Sequence, residues 1–228
     1  MSYQRWLVAK GNVLSPGPAA IAKLVERLRK EKWLPPEGGT AVKTVDAGQN
    51  GTEKQPTPLT SDWLAAPDRE EQRLIWEIPG GGALKYPLNQ APDGGAAWTF
   101  EIHRAAEFVY PTADNIEPID TECNCEEDLS FEWDEEEVSP AFKASSGIFH
   151  ECEECSRVFD PAQHLATITN PFDDSEEEFR GGAAYRFAVK VDCPKYVKEA
   201  SLAFAPDLVA LLEDEFGRTF YQFATITR

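Results

Sequence analysis

The sequence predicts an α+β fold, in which a mainly antiparallel sheet carries helices on one of its faces. Segments in which apolar and polar residues alternate outnumber the segments with helical periodicity. The long helical crossovers that join parallel strands are missing. The chain also opens with a strand and a helix and closes with a helix and a strand. We therefore expect residues 1–228 to form one domain, which is long enough to bury a substantial core.

The first strand and helix are predicted from the pattern of residues 5–36. Residues 5–10 are rich in β-prone side chains and are typical of a strand. Proline and glycine at 16–18 favour the start of a helix, and the prolines at 35–36 are expected to end it. The apolar stripe of this helix has i, i+3, i+4, i+7 spacing and consists of Ile21, Leu24, Val25 and Leu28. Its opposite face carries three basic residues, Lys23, Arg27 and Lys30. We expect that face to be solvated or to pack beside the acidic part of the chain.

The middle of the chain predicts a flexible loop followed by two strands. Residues 37–61 are rich in Gly, Thr, Pro and Gln and contain few apolar side chains, which favours a loop. Residues 73–78 and 97–103 are both predicted to be strands. The second of them alternates strictly and places three apolar side chains on one face: Trp98, Phe100 and Ile102.

Another strand, a helix and a closing strand are predicted near the C-terminus. Residues 183–191 alternate as a strand does, and Pro206 marks the start of a helix. The apolar face of that helix consists of Leu208, Leu211, Leu212 and Phe216. Gly217 is expected to cap the helix, and residues 219–227 are predicted to form the last strand.

The chain is strongly acidic, with a formal net charge of −18 from 40 Asp and Glu against 22 Lys and Arg. Residues 1–36 carry a net charge of +5, so the remainder carries −23, and residues 105–142 contain no Lys or Arg. Nucleic acids and anionic membranes are bound chiefly by basic residues, so this composition disfavours both as partners. The acidic region at 114–137 is consistent either with a solvated surface or with a docking surface for a basic protein.

The composition also bears on the compartment. No apolar segment is long enough for a signal peptide or for a helix that spans a membrane. We therefore expect a cytoplasmic protein. In that compartment cysteines remain thiols, and clustered cysteines bind metal more often than they form disulfides.

Four of the five cysteines form two short pairs, Cys123 with Cys125 and Cys152 with Cys155, and the fifth is Cys193. Two cysteine turns that face each other supply the tetrahedron of thiolates that zinc prefers. We predict one structural Zn²⁺ held by these four paired residues. A redox pair and a metal-free or disulfide-bonded cluster remain alternatives, as does a zinc site in which His150 replaces one of the cysteines.

The segment around these pairs resembles the zinc ribbon, a family of β-hairpin modules in which two cysteine turns hold one metal. Residues 129–133 and 148–149 have the composition of ribbon strands, and Phe159 occupies a typical apolar position after the second turn. The first turn, C-x-C, is one residue shorter than the usual C-x-x-C. The resemblance implies an inserted zinc-ribbon-like module over residues 119–162. Four protein ligands would leave no open position for water, so the metal is expected to be structural.

No catalytic motif stands out. None of the three histidines, His103, His150 and His164, belongs to an HExxH motif, and no GxSxG nucleophile elbow is present. The first hypothesis is a non-enzymatic acidic interaction protein, of immunity or adaptor type, that binds a basic partner. The alternative is an enzyme whose active site lies on an open sheet face near His103 and Arg104. No catalytic residue and no organic cofactor is predicted.

Overall fold

The computed structural model describes residues 2–10, 14–44, 57–59, 71–90, 97–109, 155–156, 165–169, 175–180, 185–193 and 203–227. In chain order, these residues form β1 (Ser2–Ala9), α1 (Pro18–Lys30), β2 (Thr40–Thr44), β3 (Thr57–Pro58), β4 (Glu71–Ile78), β5 (Trp98–Val109), β6 (Leu165–Thr169), β7 (Glu176–Arg180), β8 (Tyr185–Cys193), α2 (Pro206–Phe216) and β9 (Phe220–Thr227).

Seven of the described strands form one sheet in the order β3-β2-β4-β5-β8-β1-β9. Every neighbouring pair in it is antiparallel. Strands β6 and β7 form a separate two-stranded antiparallel sheet. The prediction of an α+β fold with a mainly antiparallel sheet is therefore confirmed.

The inner strands are connected as in a split β-α-β arrangement. Helix α2 connects β8 to β9 in the chain, and β1 lies between these two strands in the sheet. Strands β2 and β4 extend this unit beyond β5. The first and last described strands, β1 and β9, pair with each other at one edge of the sheet.

Both helices pack their apolar stripes into one core. The buried helix residues are Ile21, Leu24, Val25 and Leu28 of α1 and Leu208, Leu211 and Leu212 of α2. They contact the same cluster as six buried strand residues: Leu7, Phe100, Ile102, Phe187, Val189 and Val191. The apolar stripes predicted for the two helices, and the apolar face predicted for β5, are confirmed. We refer to this side of the sheet as the helix face.

The end of α1 differs from the prediction, because the helix stops at Lys30, before the two prolines. Lys32 adopts a left-handed conformation with φ of 67°. Its N–H donates to the carbonyl of Arg29 at 3.1 Å, and the N–H of Trp33 donates to that of Leu28 at 2.8 Å. This pair of bonds is the Schellman cap, here formed with lysine where glycine is usual. The cap turns Trp33 into the core before the prolines are reached.

The prediction of a loop over residues 37–61 is wrong at β2 and β3. Strand β2 pairs with β4, which satisfies its backbone, and it buries Ala41 and Val42. A five-residue strand and a two-residue strand are too short and too rich in Thr to show periodicity in the sequence. Gly38 and Gly39, with φ of 85° and 102°, lead into β2. The rest of the loop range lies outside the described residues, apart from 37–39 and 59.

Candidate functional site

A polar cluster lies on the sheet face opposite the helix face. Side chains alternate along a strand, so Glu101 and His103 of β5 lie on the other side from Phe100 and Ile102. The register of the sheet places Lys190 of β8 opposite Glu101. It also places Trp6 of β1 opposite Lys190, and Phe223 of β9 opposite Trp6. Four strands therefore contribute to one row of side chains, which we call the polar face.

Hydrogen bonds join Glu101, His103 and Lys190 with Tyr185 of β8, and we call these four residues the His103 cluster. Nε2 of His103 lies 2.8 Å from Oε2 of Glu101, and Nδ1 lies 2.9 Å from the hydroxyl of Tyr185. Nζ of Lys190 lies 2.9 Å from Oε1 of Glu101. All four residues are buried. Tyr185 pairs with Val109 directly after the register shift between β5 and β8, and at this position its hydroxyl contacts His103.

The protonation states in the cluster follow from these contacts. Burial opposes the ionisation of Glu101, but the hydrogen bond from His103 and the ammonium group of Lys190 outweigh it and lower the pKa of Glu101 to about 2. Burial lowers the pKa of His103 below its usual 6.5, and Glu101 opposes that shift only in part. At neutral pH the histidine is therefore uncharged. Its Nε2–H donates to the Glu101 carboxylate, and its Nδ1 accepts from Tyr185.

A second chain of hydrogen bonds crosses from β1 to β9. Nε1 of Trp6 donates to the hydroxyl of Thr225 at 2.7 Å, and that hydroxyl donates to Gln4 at 3.1 Å. The ring of Trp6 stacks on Phe223 with an interplanar angle of 12°, and its centroid lies 5.3 Å from that of His103. Lys190 places its ammonium group 5.5 Å from the Trp6 ring centroid. The polar face thus connects β5, β8, β1 and β9 through polar and aromatic contacts.

In chemical terms, the cluster has the order of a nucleophile, a base and an orienting acid: the Tyr185 hydroxyl, the His103 imidazole and the Glu101 carboxylate. Both ring nitrogens are already hydrogen-bonded within the cluster. The Tyr185 hydroxyl would have to meet a substrate, yet the residue is only 2% exposed. With its groups paired and buried in this way, the cluster connects β5 to β8.

The alternative hypothesis placed an active site on an open sheet face near His103 and Arg104. In the structure these two residues lie on opposite faces of the sheet. Arg104 pairs in register with Phe187, whose side chain belongs to the helix-face core, so it lies on the other side of the sheet from His103. His103 itself is buried and not on an open face, being 4% exposed. The partners of His103 are Glu101 and Tyr185.

Sequence reasoning missed Tyr185 and Lys190. The signal for Lys190 was a lone cation within an apolar strand, since Ala188, Val189 and Val191 surround it and all are buried. A lysine in that position needs a buried carboxylate. Tyr185 left no comparable signal, because it is 82 residues from His103 in the sequence.

The basic face of α1 packs against the acidic end of α2. Lys23 Nζ lies 2.7 Å from Oε1 of Glu215, and Arg27 Nη1 lies 2.8 Å from Asp214 and 3.1 Å from Glu215. Burial tends to raise the pKa of Glu215, but its hydrogen bonds with Lys23 and Arg27 outweigh burial and lower that pKa. The expectation that this face packs beside acidic residues is confirmed for Lys23 and Arg27. Lys30 is exposed.

Of the four predicted zinc ligands, only Cys155 lies within the described residues, where it is exposed. Ser156 follows it with a left-handed φ of 56°, so the chain turns sharply directly after Cys155. Cys123, Cys125 and Cys152 lie outside the described residues, as does the rest of the predicted module over 119–162. Within the part that the structure describes, no three His, Cys, Asp or Glu side chains are grouped to hold a metal ion.

Comparison with protein family models, curated proteins and solved structures gives no match. Within the described ranges, no helix is both long enough and apolar enough to cross a membrane.

Proposed function

We propose that the protein is a non-enzymatic acidic interaction protein, of immunity or adaptor type, that docks a basic protein through its acidic surface. The charge distribution carries the proposal. The net charge is −18, and residues 105–142 hold 13 acidic residues and no Lys or Arg. A field of one sign steers an oppositely charged partner and raises its association rate.

The ion pairs between the helices support this proposal. Lys23 and Arg27 belong to the basic N-terminal region, and both are paired with carboxylates of α2. Their charges are therefore compensated within the fold and do little to offset the acidic surface. A separate run of acidic residues occurs later in the sequence, at Glu176, Glu177 and Glu178 of β7, where Glu176 is exposed.

Affinity capture tests the docking proposal. The protein, immobilised and exposed to a lysate of its own source cells, should retain a basic protein at low salt and release it at high salt. The variant E135K/E136K/E137K should lose that protein. The matched control is E176K/E177K/E178K, which changes the net charge equally at a different acidic run. Equal retention by wild type and by E135K/E136K/E137K would contradict docking at residues 114–137.

The second part of the proposal is a structural Zn²⁺ bound by Cys123, Cys125, Cys152 and Cys155. Two observations support the fit: the four thiols form two short pairs in the sequence, and the chain turns directly after the exposed Cys155. A metal ion held by all four cysteines would cross-link two segments of the chain and so contribute to folding stability. It would leave no position for water.

Elemental analysis tests the metal site. Protein purified without chelator should contain one zinc per chain, and Cys152→Ser should lower both the zinc content and the Tm. Cys193→Ser is the matched control, since Cys193 lies in β8 and outside the two pairs. Zinc-free protein, or equal zinc loss in the two variants, would refute the ligand assignment.

The second candidate is an enzyme that uses the His103 cluster. The order Tyr185–His103–Glu101 favours it, because a hydroxyl, an imidazole and a carboxylate in this sequence of hydrogen bonds activate nucleophiles in acyl transfer. A panel of ester and amide substrates would test it, with Tyr185→Phe as the variant that removes only the hydroxyl. Turnover by wild type that Tyr185→Phe abolishes would favour the enzyme, and no turnover would eliminate it.

A further inference from the structure

We propose that the His103 cluster is an acid-sensitive clasp, which holds β5 and β8 together while His103 is neutral and loosens when His103 gains a proton. The clasp is independent of the docking proposal, since it rests on buried contacts within the fold.

The hydrogen bonds of the cluster require a neutral imidazole. Nδ1 of His103 accepts from the Tyr185 hydroxyl, which an unprotonated nitrogen alone can do, while Nε2–H donates to Glu101. A protonated ring carries hydrogen on both nitrogens. The hydroxyl of Tyr185 would then have to rotate and accept, so this side-chain hydrogen bond between β8 and β5 would have to reverse inside the buried cluster.

The surrounding charges disfavour an additional cation at His103. Within the part of the chain that the structure describes, the charged groups that face His103 come from three strands: Glu101 on β5, Lys190 on β8 and Arg73 on β4, which is in register with His103. Strand β1 contributes the uncharged ring of Trp6. On β8, Arg186 and Asp192 are half-buried.

Among the described residues, the carboxylate hydrogen-bonded to the ring is that of Glu101, and it is already paired. Glu101 accepts from Lys190 at 2.9 Å, so the pair is neutral while His103 is uncharged. A proton on His103 would place a further cation beside Lys190, both next to the Glu101 carboxylate, in a cluster whose residues are each less than a tenth exposed. An unbalanced buried charge is costly, and the folded cluster can avoid that cost by opening.

The direction of the pH dependence follows. Burial holds the pKa of His103 below the 6.5 of an ordinary histidine, so the folded protein binds this proton less readily than the unfolded chain does. The contribution of His103 to stability is therefore fully present above pH 6.5. It is lost progressively as the pH falls below that value toward the folded-state pKa.

The test compares wild type with His103→Gln between pH 8 and pH 4.5. The glutamine amide can donate to Glu101 and accept from Tyr185, but it does not titrate. Any effect of the other acidic residues and of His150 and His164 is common to both proteins. As the pH falls below 6.5, the Tm of wild type should drop relative to that of the variant by at least about 3–5 °C, which corresponds to a tenfold change in the folding equilibrium for a chain of this size. Parallel curves over the whole range would overturn the clasp.

A measurement on wild type keeps the proposal testable if His103→Gln does not fold. Nitrogen NMR of the His103 ring reports its tautomer and its protonation, and the indole N–H signal of Trp6 reports the neighbouring strand. The clasp predicts the Nε2–H tautomer at pH 7 and a shift of the Trp6 signal in step with ring protonation. Protonation of His103 that leaves the Trp6 signal unchanged, or a ring that titrates as a free histidine does, would overturn it.

Discussion

The ion pair between Glu101 and Lys190 gives the most informative test of the polar face. Both side chains are less than a tenth exposed, and the Nζ–Oε1 distance is 2.9 Å. Glu101→Gln removes the charge but keeps the shape, and it turns an amide N–H₂ toward Lys190 or toward the N–H of His103. Removing one partner of a buried pair leaves the other charge without compensation, at a cost of roughly 3–5 kcal/mol. We take about 3 kcal/mol, because the lysine stem can carry its ammonium group toward water.

The matching change, Lys190→Met, keeps the length of the side chain and leaves the Glu101 carboxylate with His103 as its remaining partner in the cluster. We expect about the same cost, ~3 kcal/mol. In the double variant no uncompensated charge remains, and the glutamine can still accept from His103. The two substitutions should therefore be strongly non-additive, with a loss of about 1 kcal/mol where their sum would be about 6 kcal/mol.

Urea denaturation of the four proteins at pH 7 measures this coupling. The control is Glu77→Gln, because Glu77 is exposed on β4 and should change stability by no more than ~0.5 kcal/mol. Additive losses, or single substitutions that cost no more than the control, would refute the assignment of a buried, mutually dependent pair.

Two further substitutions test other parts of the fold by denaturation. An added Cβ at Gly39 would lie 2.8 Å from Cε2 of the buried Trp76, whereas one at Gly38 meets nothing within 4 Å. Both glycines have positive φ, so Gly38→Ala should lower the free energy of unfolding by roughly 1–2 kcal/mol through backbone strain alone. Gly39→Ala should lower it by about 1–3 kcal/mol more, because the added methyl group overpacks against Trp76. Equal losses in the two variants would contradict the Trp76 contact. Glu215→Gln should cost only about 1 kcal/mol, and less at high salt, because Lys23, 72% exposed, remains hydrated when it loses its partner. A salt-independent loss would contradict that reasoning.

The elements that the sequence predicted correctly are those whose pattern is local. The stripe of α1, the alternation in β5 and the glycine cap of α2 each depend on residues within a few positions of one another. Gly217 adopts the left-handed φ of 62° expected of a cap. Strand β2 could not be predicted in this way, because its conformation depends on pairing with β4, whose partner residues lie 27 to 35 positions further along the chain.

The candidate site depends on register, which a single sequence does not reveal. Alternation in β5 placed His103 opposite the apolar face, and that much was predictable. Its partner Tyr185 comes from β8, beside a register shift that no local pattern marks. Arg104 was predicted beside His103 because it is adjacent in the chain, but adjacent residues of a strand point to opposite faces.

The association rate of the captured basic partner, measured as a function of ionic strength, tests the central claim most directly. Screening shortens the range of electrostatic attraction to about 8 Å at physiological ionic strength and to about 3 Å at 1 M salt. Docking through an acidic surface predicts an association rate that falls by at least about tenfold between low and high salt. It also predicts a slower rate at low salt for E135K/E136K/E137K, with an unchanged far-UV circular dichroism spectrum. An association rate that neither salt nor the triple reversal alters would contradict the claim.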